Sequence, residues 1–285
     1  MKLLYDCIPC IVRQSIDAIR SNCEDSETMD KALEETLSLL VDYKSFRCSP
    51  EIAGEIHNIV KKHTGIADPF VERKRRDLAV AVESYPFLKD YLSEKTDDKL
   101  YWALKLAATG NNIDAAVYAD VDVKKCIENE LEKPFAISDV KIFSEKLSSA
   151  STLLIIGDNT GETVFDRVMI EALPENLKVY YAVRSGPIIN DATEKEAIES
   201  GLDKVSHIIP SGCFTPGTIT DLCSDEFMEI FNKADIVVSK GQGNYEALSD
   251  EKREIFFLLK AKCPVIAQRF SVELNGYVCK FKPEA

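Results

Sequence analysis

Three short stretches hold side chains whose types and spacing can do chemistry: "GDNTGE" (157–162), "GPIINDAT" (186–193) and "KGQGNYE" (240–246). The first supplies Asp158 and Asn159, the second Asn190 and Asp191 after Arg184, the third Lys240, Gly241, Gly243, Asn244 and Glu246. Two carboxylates and a carboxamide are hard oxygen donors, suited to Mg²⁺ or Mn²⁺ rather than to a thiolate-selected zinc site. A glycine-rich turn offers backbone N–H groups to an anion, and lysine or arginine adds positive charge. Metal, amides and a cation together match what phosphoryl transfer requires. Arg184, Lys240, Gly241, Gly243 and Asn244 are therefore the candidate substrate-binding groups, beside Asp158, Asn159 and Asp191 as candidate metal ligands.

Each of these residues also has a plainer reading. Asp158 or Asn159 can cap a helix starting near Gly161, and "NDAT" can cap the helix that follows it. Glu162 and Asp166, four apart, share one helix face, where like charges cost stability unless a cation lies near. "GQGN" can be an ordinary turn. What favours chemistry is that three such caps would all have to fall at one edge of one sheet.

That edge follows from the elements that position the motifs. After about residue 150, apolar β-rich runs alternate with helical segments: "TLLIIGD", "KVYYAVR", "VSHIIP", "DIVVSKG" and "CPVIAQ" are read as strands. Intervening stretches long enough for crossover helices predict a mostly parallel, Rossmann-like sheet in a three-layer α/β/α domain over 131–285. Such sheets place their sites beyond the carboxyl ends of the strands. Residues 1–130 carry helix-period apolar stripes, such as Ile11, Val12, Ile16 and Ile19, and are expected to form an all-helical domain.

Composition narrows the class. A formal charge of −13 and no basic stripe with interleaved aromatics argue against nucleic-acid binding. No apolar run is long enough to span a bilayer and no signal-peptide core is visible, so a cytoplasmic protein is expected. The nine cysteines are an odd total, which opposes a complete disulfide framework.

"KGQGNYE" lacks the third glycine of a dinucleotide fingerprint, and no Walker motif occurs. An aspartyl-phosphatase strand end reads DxDxT, whereas Thr160 stands at the second acidic position here. Metal-activated water is favoured over Asp158 as nucleophile. Two helical features stand apart. Cys7 and Cys10 form a CxxC, readable as a redox pair, as part of a metal site completed by His57, His63 or distant cysteines, or as a helix start. "GNNID" (110–114) places Asn111, Asn112 and Asp114 between two apolar helical runs, either as a cap or as ligand-binding groups between domains.

Taken together, "CIPC", "GNNID", "GDNTGE", "GPIINDAT" and "KGQGNYE" resemble the metal-dependent damage-control phosphatases formerly grouped as DUF89 (ARMT1-like), in their short archaeal and bacterial branch with an N-terminal CxxC. The resemblance implies a helical N-terminal domain beside a three-layer α/β/α domain. It implies metal ligands at Asp158, Asn159 and Asp191 and a phosphate-contacting lysine at Lys240. Glu162, Asn111 and Asn112 match positions lining the same pocket, so Asp158, Lys240 and Glu162 are the expected catalytic set. It further implies Mg²⁺, Mn²⁺, Co²⁺ or Ni²⁺ as cofactor and a sugar phosphate or another, often damaged, phosphometabolite as substrate. Two rival classes are a non-catalytic binding protein for a metal or phosphorylated ligand, and a carboxyl methyltransferase. No methyl-donor motif of the GxGxG kind follows the first α/β strand, which disfavours the second.

Overall fold

The computed structural model describes residues 1–110 and 123–284. Seven strands form one sheet: β1 (Phe135–Ser138), β2 (Thr152–Ile156), β3 (Lys178–Val183), β4 (His207–Pro210), β5 (Ile236–Lys240), β6 (Ile255–Lys260) and β7 (Tyr277–Lys282). Their spatial order is β1-β7-β6-β5-β2-β3-β4. Every neighbouring pair is parallel except β6 and β7. The central strands are short apolar runs because helices cover both of their faces, leaving no solvated side to alternate for.

Register puts Ile155 beside both Tyr181 and Val238, so the first, second and fourth runs after residue 150 end on a common edge. One face buries Leu153, Ile155, Tyr181 and Val238. Against it pack α4 (Val71–Ser93), α5 (Lys99–Thr109), α6 (Val123–Glu132), α7 (Val140–Leu147) and α8 (Glu162–Ile170). The other face buries Leu154, Ile156, Val237 and Phe257 against α10 (Asp225–Lys233), α11 (Gly241–Leu248) and α12 (Pro264–Phe270). A short helix, α9 (Glu194–Glu199), joins β3 to β4. The result is the expected three-layer α/β/α arrangement with a mostly parallel sheet.

The first helices, α1 (Cys7–Arg20), α2 (Ser26–Val41) and α3 (Ser49–Thr64), build small cores of their own around Ala18, Ala32 and Val60 and around Ile11, Leu40 and Ile56. Gly65, at φ +69°, ends α3 in the left-handed conformation. α3 also packs on α11, which brings the N-terminal helices to the carboxyl edge of the sheet.

One expected strand is a helix. "CPVIAQ" forms the start of α12, because Cys263 occupies the cap position with its Sγ accepting the Ile266 N–H at 3.5 Å, and Pro264 stands in the first turn. The sixth strand is instead "IFFLLK", all six residues buried. An unbroken apolar run of that length has no periodicity to separate strand from buried helix.

Candidate metal and phosphate site

β2 ends at Ile156, and the chain runs through Gly157 and Asp158 into α8. Neither Asp158 nor Asn159 caps α8: the cap position is Gly161, with no side-chain cap bond. The loop is held from the side instead. Thr160 N–H donates to Asn190 O and Ala192 N–H to Asp158 O, each at 2.8 Å, leaving Asn159 and Asp191 as an isolated antiparallel bridge. After β3 the helix cap is likewise not Asp191 but Thr193, which forms a capping box with Glu196. The three candidate metal ligands are thus freed from helix capping and joined by backbone.

Further bonds aim each ligand. Asn159 Nδ2 donates to Asp158 Oδ2 at 3.1 Å and to Glu162 Oε1 at 2.8 Å, so its amide nitrogen is spent and its carbonyl oxygen is the candidate ligand atom. Arg184 Nε donates to Asp191 Oδ2 at 2.7 Å. Its other guanidinium nitrogens reach Thr218 Oγ1 at 2.6 Å and Asn244 Oδ1 at 3.0 Å. Asn244 is fully buried: its Nδ2 donates to Gly157 O and Lys240 O, and its Oδ1 accepts from Thr218 N–H. Arg184 and Asn244 therefore hold the framework together.

Lys240 lies deeper than a phosphate contact would. Its Nζ donates to Glu162 Oε2 at 2.9 Å, Asp166 Oδ1 at 2.6 Å and Ala107 O at 3.1 Å, with no exposed side-chain surface. This is the cation that makes the Glu162–Asp166 pair on α8 tolerable. Tyr181 completes the group by donating to Asp166 Oδ2 at 2.7 Å.

Gly241 follows at φ +74°, and a Cβ there would overlap the Asp158 carboxylate. A Cβ at Gly243 would overlap Pro216 O. Only glycine lets Asp158 sit against the start of α11 while the 216–217 loop packs on its first turn. The cap residue of α11 is Lys240, which makes no side-chain cap bond. Gln242, Gly243, Asn159 and Asp191 line one cavity of about 510 Å³, so an uncapped helix N-terminus and two candidate ligands face the same space.

The electrostatics favour a cation. Asp158, Glu162, Asp166 and Asp191 are all buried; Arg184 pairs with Asp191 and Lys240 with Glu162 and Asp166, and the Lys262 charge acts on Glu162 and Asp158. Burial, and then the charges of Glu162 and Asp191, push the Asp158 carboxyl well above the usual carboxylate range. Burial also raises Asp191, against the pull of Arg184. Burial carries Asp166 up to about 6 although Lys240 opposes it. Burial works against the Lys240 ammonium, but Asp166 and Glu162 outweigh it and hold the proton above the ordinary lysine value. The Thr160 hydroxyl, buried in the loop after β2, has no hydrogen-bond partner among the described residues. Among the described residues no three His, Cys, Asp or Glu side chains form a metal cluster, and the candidate ligand set is two carboxylates and a carboxamide.

A model of the damage-control phosphatase ARMT1-like domain matches residues 3–278. The chain belongs to the ARMT1-like family. A damage-control phosphatase of Pyrococcus horikoshii is 38% identical over 99% of this chain and 100% of its own length. Another, from Archaeoglobus fulgidus, is 29% identical over 98% and 99% respectively. The crystal structure of a DUF89 family protein from Pyrococcus horikoshii superposes with a TM-score of 0.89 at 36% identity, covering 98% of each chain. The ARMT1-like fold expected from the strand-end motifs is therefore the fold of this chain.

The other expected residues are distributed as follows. Asn111, Asn112 and Asp114 lie outside the described residues. Gly110, which precedes them, packs on α8, where an added Cβ would lie 3.2 Å from the Glu162 Cα. Cys7 and Cys10 line the same cavity as Asn159 and Asp191. Neither histidine considered as their partner does: His63 bonds Glu35 at 2.6 Å, and His57 stacks edge-on against Phe70. Thr218, Tyr181 and Cys263 were not legible as site residues. A lone loop threonine, a strand tyrosine and a scattered cysteine carry no local signal.

Proposed function

We propose that this ARMT1-like protein is a divalent-metal-dependent phosphatase that hydrolyses a small phosphorylated metabolite, with Asp158, Asn159 and Asp191 holding the cation. The observation that supports this most is the Asn159–Asp191 bridge, which joins two hard-oxygen motifs beside the open N-terminus of α11. The donor set, the cluster of buried carboxylates and the Thr160 hydroxyl, without a partner among the described residues, all fit a divalent ion.

When bound, the cation supplies Lewis-acid polarisation of the phosphoryl group and acidifies a water for attack on phosphorus. The protein's own contribution is placement. Arg184 fixes Asp191, Glu162 fixes the Asn159 carboxamide, and Lys240 fixes Glu162 while neutralising the pair it forms with Asp166. The N–H groups at the start of α11 offer the phosphoryl oxygens donors and a positive helix end, worth about 0.3–1 kcal/mol at an exposed site and more when partly buried. In this reading Lys240 and Glu162 act through the ligands, as positioning residues. The damage-control phosphatases among its relatives support a phosphomonoester substrate for this chain.

The test is hydrolysis of an aryl phosphate by chelator-stripped protein with each divalent cation restored in turn. Release that requires a metal and disappears in Asp158→Ala supports the reading. Metal-independent release, or release retained in that variant, refutes it.

A further inference from the structure

Cys7 and Cys10 occupy the first turn of α1, three residues apart, and both side chains line the cavity shared by Asn159 and Asp191. A third thiol, Cys263 at the cap of α12, lines it as well. All three are free and half-buried. Nothing in the metal and phosphate site uses them.

Three thiols on one wall invite a soft metal or redox chemistry. The geometry disfavours a metal. Among the described residues no three potential ligands gather at metal-holding distance, and the Cys263 Sγ is turned to the Ile266 N–H at 3.5 Å. The Cys7–Cys10 pair is different. Residues three apart on a helix have Cβ atoms about 5–6 Å apart. A disulfide needs about 3.5–4.5 Å, so a modest tightening of one turn closes it. No side-chain cap bond from Asp6 fixes that turn, and the one side-chain contact to the Cys10 Sγ is a long one, from Gln14 Nε2 at 3.8 Å.

We propose that Cys7 and Cys10 are a reversible dithiol–disulfide pair in the wall of the substrate cavity, oxidised by a low-molecular-weight disulfide and coupled to substrate binding. One thiolate attacks a sulfur of the small disulfide, forming a mixed disulfide and releasing one small thiolate. The second protein thiol then attacks the protein-side sulfur, closing the Cys7–Cys10 bond and releasing the other small thiolate. Two electrons pass to the small disulfide, and the two thiol protons end on its products. Closing the bond re-forms the first turn of α1, and with it the wall made by Asp6, Cys7 and Cys10. Substrate KM changes while the metal ligands, on other elements, stay in place. The coupling rests on the reading of this cavity as the substrate's.

The test equilibrates the full chain in glutathione buffers of graded reduced-to-oxidised ratio, quenches with an alkylating agent and counts thiols on the N-terminal peptide by mass spectrometry. The expected result is loss of both thiols together, with two hydrogens lost and no adduct, reversed by dithiothreitol. Cys10→Ser should carry a single glutathione on Cys7 instead. KM for an aryl phosphate should differ several-fold between the oxidised and reduced protein, and the Cys7→Ser/Cys10→Ser variant should show no dependence on the ratio. Thiols that stay alkylatable at every ratio, or that are protected only by added zinc, overturn the pair. An unchanged KM overturns its coupling to the cavity. If no turnover occurs in either state, the thiol count still decides the pair, while the coupling and the phosphatase reading fall together.

Discussion

Lys240 Nζ lies 2.6 Å from Asp166 Oδ1 and 2.9 Å from Glu162 Oε2, with none of the three side chains more than 1% exposed. The lysine of the "KGQGNYE" motif is the internal counter-ion of α8. Removing one partner of such a pair strands buried charge, at about 3–5 kcal/mol. Lys240→Met should therefore lower unfolding free energy by that amount in urea titrations. A phosphate-contacting lysine on the cavity wall would change KM and leave stability almost untouched.

Thr218 shows what a distant support contributes. Its Oγ1 accepts from Arg184 Nη1 at 2.6 Å and donates to Asn244 Oδ1 at 2.9 Å. Thr218→Val removes both bonds and loosens the guanidinium that aims Asp191. Outer supports of metal ligands are worth about 10–100-fold in affinity. Calorimetric Mn²⁺ titration should show weakening within that range, with Asp158, Asn159 and Asp191 all still present.

Gly241 combines a left-handed backbone with contact against Asp158. Alanine there meets a conformational cost of about 1–2 kcal/mol and a Cβ that displaces the carboxylate. Gly241→Ala should lower both melting temperature and metal affinity. A variant that binds Mn²⁺ as wild type does would separate Asp158 from the metal.

Asp166 gives a pH signature. Its carboxyl is raised to about 6 in the folded chain from 3.8, first by burial. The folded state then holds the proton more tightly than the unfolded state. The stability this contributes is fully present below about pH 4 and is lost as pH rises through about 6, on the order of 3 kcal/mol in total. Urea titrations in chelator should show that decline in wild type and a flatter profile in Asp166→Asn. Equal slopes would remove Asp166 as its source.

The strand-end logic foresaw that Asp158, Asn159 and Asp191 would lie together, because a parallel sheet sends the ends of β2 and β3 to one edge whatever lies between them. The caps were ambiguous in sequence, since Gly161 and Thr193 sit within a few residues of better-known capping types. Lys240 was identified by residue but not by depth: strand alternation places it toward α8, and nothing local announces that Glu162 and Asp166 wait there. Thr218 and Cys263 reach the site through tertiary packing alone, so their sequence neighbourhoods hold no sign of it. The exchange of "IFFLLK" for "CPVIAQ" as the strand reflects the weakness of periodicity in short, fully buried runs.

The most direct measurement is aryl phosphate hydrolysis by chelator-stripped wild type and Asp191→Asn across a Mn²⁺ titration. Wild type should be inactive without metal and saturate as it is added. Asp191→Asn should need at least about tenfold more Mn²⁺ or stay inactive, since it exchanges a charged ligand for a neutral one and breaks the ion pair with Arg184. Identical Mn²⁺ dependence in the two proteins would contradict the assignment of the metal to this sheet edge.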